Sequence, residues 1–142
     1  MKLSGVWAAA GIGLAAAALF AVQKPADRSA PSVPSVERGA YIVEHLSRCG
    51  QCHTPRDEKG SLIVTRWLSG APIPVRSPFP GQPWAFAAPN IRGLVGYTDE
   101  EGVRLLTDGL TRDAKPPQPP MQQFGMKRED AEAVVAYLRS LK

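Results

Sequence analysis

Cysteine, histidine and aromatic residues are all scarce in this chain. Among its 142 residues are two Cys, two His, three Trp, three Tyr and four Phe. Two cysteines exclude a disulfide-dense scaffold and a four-cysteine zinc or iron–sulfur site. They stand three apart, too close in sequence to staple distant parts of a fold. The net charge of +4 is modest and falls short of a nucleic-acid-binding footprint, so no nucleic-acid partner is expected. There is no internal repeat. Nothing alternates as a half-buried strand would, so nothing reads as a sheet. No paired carboxylates and no nucleophile–base set suggest substrate chemistry.

Glycine (13), proline (14) and one long apolar run are what the chain has instead. Residues 6–22 are unbroken apolar or small residues, eight of them alanine, behind the positive start Met1-Lys2. A positive start followed by an apolar core is the pattern of a secretory signal. Seventeen residues is also the lower limit for spanning a bilayer. Residues 1–22 are therefore expected to be an export signal peptide or a retained inner-membrane anchor. Either way the remainder faces the periplasm. Residues 23–36 carry Pro25, Pro31 and Pro34 among serines, an extended and semi-rigid linker. The folded domain is expected over 37–142.

That domain reads as helix, long irregular stretch, helix, loop, helix. Residues 37–47 form a short helix with Ala40, Tyr41, Val43 and Leu46 near one face. The stretch 54–97 is proline-rich and has no sustained period. Thr98-Asp99-Glu100-Glu101 is a capping box, and Gly109 supplies the left-handed cap that ends the helix it starts. A last helix begins near Arg128, with Glu129 and Asp130 where its dipole favours negative charge. Val134, Tyr137, Leu138 and Leu141 make its apolar face. The class is all-α. So long an irregular middle, with so few aromatics, requires something else to fill the core.

Cys49-Gly50-Gln51-Cys52-His53 says what fills it. This is C-x-x-C-H, the attachment motif for c-type haem. Two thiols three apart on one helical turn can each form a thioether with one of the two haem vinyl groups. The histidine that follows at once can bind the iron. A redox C-x-x-C would want a βαβ context, which is missing. A zinc site would need a second ligand pair, and His45 is the only other histidine.

With that motif the chain resembles the class I, single-haem c-type cytochromes. RGAYIVEHLSRCGQCHTPRD is similar to that family's first helix and haem motif, and APNIRGLVG (88–96) to its Pro-Asn loop. PPMQQFGMKREDAEAVVAYLRSL (119–141) is similar to its methionine loop and last helix. The likeness is strongest to membrane-associated cytochromes that accompany periplasmic dehydrogenases. It implies a small helical domain wrapped around one covalently bound haem, with 54–88 as a Pro-rich inserted loop. Cys49 and Cys52 would hold the haem, and His53 would ligate the iron.

The resemblance also points to a sixth ligand and to supporting residues. Met121 follows two prolines, and Phe124 completes a Met-x-x-Phe pattern, although Gln122 stands where proline is usual. Met126, His45 or an open position are the alternatives. A thioether there would raise the potential and suit electron transfer. Pro89 is expected to accept a hydrogen bond from His53, Pro55 being nearer in sequence. Gly39 and Tyr137 are expected to mark the crossing of the first and last helices. Trp67, Trp84 and Arg92 are candidates for the haem propionates. Arg48, Arg56 and Lys59, with Arg112, Lys115, Lys127 and Arg128, are expected to form a positive collar. The function implied is one-electron transfer between redox partner proteins, from a dehydrogenase or quinol-oxidising donor to an oxidase or other acceptor. A haem enzyme or ligand sensor with an open sixth iron position is the alternative.

Overall fold

Ser35 begins the first helix of the computed structural model, which describes residues 33–142. The export segment 1–22 and residues 23–32 of the linker lie outside the described residues, and the last four linker residues, 33–36, run into this helix. The Ser35 hydroxyl accepts from the Arg38 N–H at 3.1 Å, satisfying one of the amides that a helix start leaves over. This helix, α1 (Val36–Tyr41), covers only the first half of the expected 37–47. From Ile42–Leu46 the chain widens into a π-helix, and the Ser47 N–H donates to the Ile42 carbonyl at 2.8 Å. Arg48 then adopts a left-handed φ of 50°, which a non-glycine residue holds only at a cost of about 1–2 kcal/mol. The chain restarts as a single turn, α2 (Gly50–His53).

The other helices follow their local signals. In α3 (Asp99–Thr107) both halves of the capping box are made. The Glu101 N–H donates to Thr98 Oγ1 at 3.2 Å, and the Thr98 N–H donates to Glu101 Oε2 at 2.8 Å. Gly109, two residues past the helix, has the left-handed φ of 70° that closes it. The last helix, α4 (Arg128–Ser140), buries Ala131, Val134, Val135 and Leu138 on one stripe. Against this stripe lie Ile42 and Val43 from the first helix, Leu94, and Val103 and Leu106 from α3. Two glycines let the helices approach. Gly39 faces Ala133 and Tyr137 of α4, and Gly102 of α3 faces Val135. Among the described residues no helix is long and apolar enough to cross a membrane.

The expectation of no sheet fails in the middle of the chain. Strand β1 (Ala71–Pro72) pairs antiparallel with β2 (Ala87–Ala88), Ala71 opposite Ala88 and Pro72 opposite Ala87. Two residues are too few for an alternating pattern to show in the sequence, and Pro72 would argue against a strand. The Ile73 N–H extends the ladder to Phe86 O at 2.8 Å. The excursion between the strands is held by its own bonds, among them Trp84 Nε1–H to Val75 O at 2.9 Å. A further bond, Ala85 N–H to Pro119 O at 2.7 Å, ties it to the loop before Met121. Val75, Phe79 and Phe86 stay exposed on it, Phe86 by 92%.

Candidate functional site

The turn α2 is too short to hold its own shape, since an isolated helix needs several turns to be stable. Its shape comes from residues 67–70, which run alongside. The Leu68 N–H donates to Thr54 Oγ1 at 3.0 Å in the core, and the Gly70 N–H donates to His53 O at 2.7 Å. Gly70 has φ 87°, and a Cβ on it would lie 2.9 Å from Asn90 N and 3.1 Å from Pro89 C. Only glycine permits both that conformation and that approach. The Ile91 N–H then donates to Leu68 O at 3.1 Å. In this way 67–70 buckles the end of α2 to the segment 88–91.

The buckle brings the His53 ring to Pro89. Nδ1 lies 2.8 Å from the Pro89 carbonyl oxygen. A carbonyl can only accept, so Nδ1 carries the proton and donates, and the Nε2 lone pair is left for another partner. His53 is buried, 6% exposed. Burial lowers its pKa from the ordinary histidine value, and the Pro89 bond opposes this less strongly. The imidazole is therefore neutral at pH 7, as a metal ligand must be. Pro55, the nearer alternative, is engaged otherwise: its carbonyl accepts from the Ile63 N–H at 2.9 Å.

Both cysteines are free thiols. Cys49 packs against the core, and burial pushes its thiol pKa up to about 11. Cys52 is exposed and borders a cavity of 180 Å³ shared with Arg56, Pro72 and Pro74. The donor chemistry fits a c-type haem: two thiols at the spacing of two vinyl groups, and an imidazole whose Nε2 is free. Among the described residues no group of three or more His, Cys, Asp or Glu side chains gathers as an alternative metal site.

The two candidate methionines occupy different surroundings. Met121 is half-buried in the loop after Pro120, with its N–H donating to Gln118 O at 3.2 Å. Met126 packs against the core, and its N–H donates to Leu106 O at 2.9 Å. It lines a cavity of 220 Å³ with Ile42, Leu46 and Phe124. His45 is exposed, stacked obliquely on Tyr41 at 5.5 Å.

Two of the three propionate candidates have their indole N–H engaged by protein acceptors. The Trp67 Nε1–H donates to the Tyr137 hydroxyl at 3.3 Å, and the Trp84 Nε1–H donates to Val75 O. Neither indole N–H is left for a carboxylate. Arg92 is half-buried, and its backbone N–H donates to Asn90 Oδ1 at 2.9 Å. Sequence reasoning also missed Thr54 and Gly70, the anchors of the buckle. Their partners lie 14 or more residues away, and no local pattern marks them.

Comparison with known proteins places this geometry in context. The family model described as Cytochrome c matches residues 36–142. A Gluconobacter japonicus protein described as a fructose dehydrogenase cytochrome subunit is 30% identical over 114 residues, covering 73% of this chain and 21% of that protein. A Cereibacter sphaeroides protein described as diheme cytochrome c-type is 54% identical over 41 residues, covering 29% of this chain and 14% of that protein. The chain thus spans about a fifth or less of the length of these relatives.

Proposed function

The chain belongs to the cytochrome c family, and from that premise we propose a periplasmic one-electron carrier built on a single c-type haem. Membership implies haem c with its iron, and an electron-transfer role rather than an enzyme's. The number of haems proposed is one because C-x-x-C-H occurs once in the sequence.

When bound, the haem supplies an iron that takes up and gives up one electron. The chain's own residues do the rest. Cys49 and Cys52 would add their thiols across the two vinyl groups; in each case sulfur bonds one vinyl carbon and the thiol proton passes to the other. His53 would give Nε2 to the iron, with Pro89 fixing the ring and its tautomer. Met121 would give its thioether to the iron as a second protein ligand, which would raise the potential. The stretch 54–88 would be an inserted loop of the haem domain 37–142. Residues 23–36 would be its linker, and 1–22 its export signal or inner-membrane anchor.

The observation that carries this reading is the hydrogen bond of the buried His53 ring to the Pro89 carbonyl at 2.8 Å immediately beside two free thiols. The Gluconobacter relative, named as a dehydrogenase subunit, favours a dehydrogenase as donor. A quinol-oxidising donor, and an oxidase or other acceptor, complete the partner set proposed.

The test is covalent attachment. The wild-type chain, denatured and freed of loose cofactor, is expected to keep haem absorbance and the added haem mass. Replacing both Cys49 and Cys52 by Ala should leave little mature protein, because a domain this small with so irregular a middle lacks a sufficient core of its own. A soluble, folded, haem-free double variant would overturn the proposal.

A further inference from the structure

The loop that carries Met121 is short of means to hold itself. Four of the seven residues 116–122 are proline, and a proline has no N–H to donate. Among the described residues the one hydrogen bond made inside this stretch is Met121 N–H to Gln118 O at 3.2 Å. Its two ends are anchored beside α3. At the near end Lys115 O accepts from the Thr111 N–H at 2.8 Å and from the Thr111 hydroxyl at 2.9 Å. At the far end Gln123 Nε2–H donates to Gly109 O at 3.1 Å, and the Met126 N–H donates to Leu106 O. Between these anchors, a chain with so few donors has to be held by its carbonyls. The Pro119 carbonyl, two residues before Met121, accepts from the Ala85 N–H at 2.7 Å.

Ala85 opens a segment that leads straight to the other side of the site. Three residues on, Ala88 pairs with Ala71, and Pro89 then accepts from His53 Nδ1–H. Residues 85–89 thus run from the methionine loop to the histidine ring. The hairpin holds this segment from its far edge, through Ile73 N–H to Phe86 O and Trp84 Nε1–H to Val75 O. We propose that Ala85, through its backbone N–H, is a positioning residue for Met121, and that the Pro-rich hairpin serves to present it. The inference rests on the methionine ligation proposed above. Met121 can remain a ligand only while its loop stays in place, and opening the loop breaks the Ala85–Pro119 bond. One neutral hydrogen bond shifts such a closed-to-open ratio about two- to ten-fold. A backbone donor does so without a side chain to immobilise.

The experiment uses the full holoprotein in its ferric state, made in a bacterium that attaches c-type haem. Imidazole is the probe, because it takes the position that a departing methionine leaves. Titration follows loss of the weak long-wavelength band of methionine-ligated ferric haem. Ala85→Pro removes the N–H and is expected to lower the apparent imidazole dissociation constant about two- to ten-fold. Ala85→Gly keeps the N–H and should stay at the wild-type value. Gly39→Ala, which weakens the helix crossing and leaves the hairpin alone, should stay there too. Wild-type protein decides the matter if Ala85→Pro does not accumulate. Coupling is reciprocal, so imidazole must weaken the bond that resists it. The Ala85 amide should exchange its hydrogen several-fold faster in the imidazole complex, while the Val135 amide of α4 does not change. Wild-type imidazole affinity in Ala85→Pro, an equal shift in Ala85→Gly or Gly39→Ala, or an Ala85 amide indifferent to imidazole would overturn the inference. A wild-type band that is absent, or that survives Met121→Ala, would instead overturn the ligand assignment on which it rests.

Discussion

A side chain at Gly39 would have to stand inside the carbonyl group of Ala133. A Cβ there falls 2.6 Å from the Ala133 carbonyl carbon, nearer still to its oxygen, and 2.8 Å from Tyr137 Cβ. None of these atoms is the far end of a flexible chain, so the helices themselves would have to separate. Since α1 has only six residues, backbone-to-backbone approach is how so short a helix gains contact with α4. Gly39→Ala is therefore expected to destabilise the domain by about 1–3 kcal/mol. It should appear as a lower urea midpoint at unchanged slope. A midpoint equal to wild type would mean that the crossing opens freely.

The two methionines should separate by what they lose. Met126 packs on the core, so Met126→Ala is expected to cost about 1–3 kcal/mol, toward the low end of the range for burying such a side chain. It should leave the iron's ligands alone. Met121→Ala should abolish the weak long-wavelength band of methionine-ligated ferric haem and lower the reduction potential. Ferric spectra and redox titrations of both variants check this. If the band disappears with Met126 instead, the ligand assignment passes to Met126.

What could be read in the sequence was local. The capping box at Thr98 and Glu101, the left-handed Gly109 and the stripe of α4 each lie within a few residues of one another, and each is present in the fold. The C-x-x-C-H motif is local in the same sense. Contacts made across the chain were not legible. Nothing near Gly50 announces that an indole from Trp67 will cover it. The strands β1 and β2 are too short to leave a pattern, and the π-helical widening after Tyr41 has no residue signature. Pro89, 36 residues from His53, was reached by family resemblance, not by spacing. Nor does any local pattern announce that the Trp67 and Trp84 indole N–H groups bond the Tyr137 hydroxyl and the Val75 carbonyl.

Tyr137 gives a pH dependence with a definite sign. Burial, and after it the Glu44 carboxylate, raises its pKa above the ordinary tyrosine value of 10.0, and the Trp67 bond pulls the other way. The folded state thus holds the phenol proton more tightly than the unfolded chain does. The stability Tyr137 contributes is fully present below about pH 10 and is lost as pH rises through the higher folded value. Tyr137→Phe should be less stable than wild type by about 1–2 kcal/mol at neutral pH, the worth of the two hydrogen bonds it removes. That gap should hold steady up to about pH 10 and shrink above it. Urea unfolding of both proteins over the pH series measures it, and a gap that widens with alkali would show the sign to be wrong.

The last prediction concerns how a partner docks. From Lys24 onward the chain carries sixteen basic and thirteen acidic residues, a net charge of +3, which two ionised haem propionates would bring to about +1. So small a total steers weakly, and local arrangement must decide. Two members of the expected positive collar are already paired: Arg112 with Glu101 at 3.5 Å, and Arg128 with both Glu100 and Glu132 at 2.8 Å. Arg48, Arg56 and Lys59 make no ion pair among the described residues, and Arg56 bonds only neutral groups, Gln51 and the Gly60 carbonyl. Lys115 and Lys127 make no ion pair among the described residues either, so three uncompensated cations stand beside the attachment turn and two beside the methionine loop, and the balance tips modestly to the attachment-turn side. An acidic donor should be drawn to that side, and the second-order electron-transfer rate should fall as salt rises from about 0.02 M to about 0.5 M, where the Debye length shrinks to a few ångströms. Arg56→Gln should slow the low-salt rate more than Arg112→Gln does, because only Arg56 lacks a compensating carboxylate. A rate indifferent to salt would transfer docking to apolar contact. The exposed Val75, Phe79 and Phe86 of the 71–88 hairpin would then be the side chains to substitute, since Pro72 and Pro74 at its base border the same cavity as Cys52.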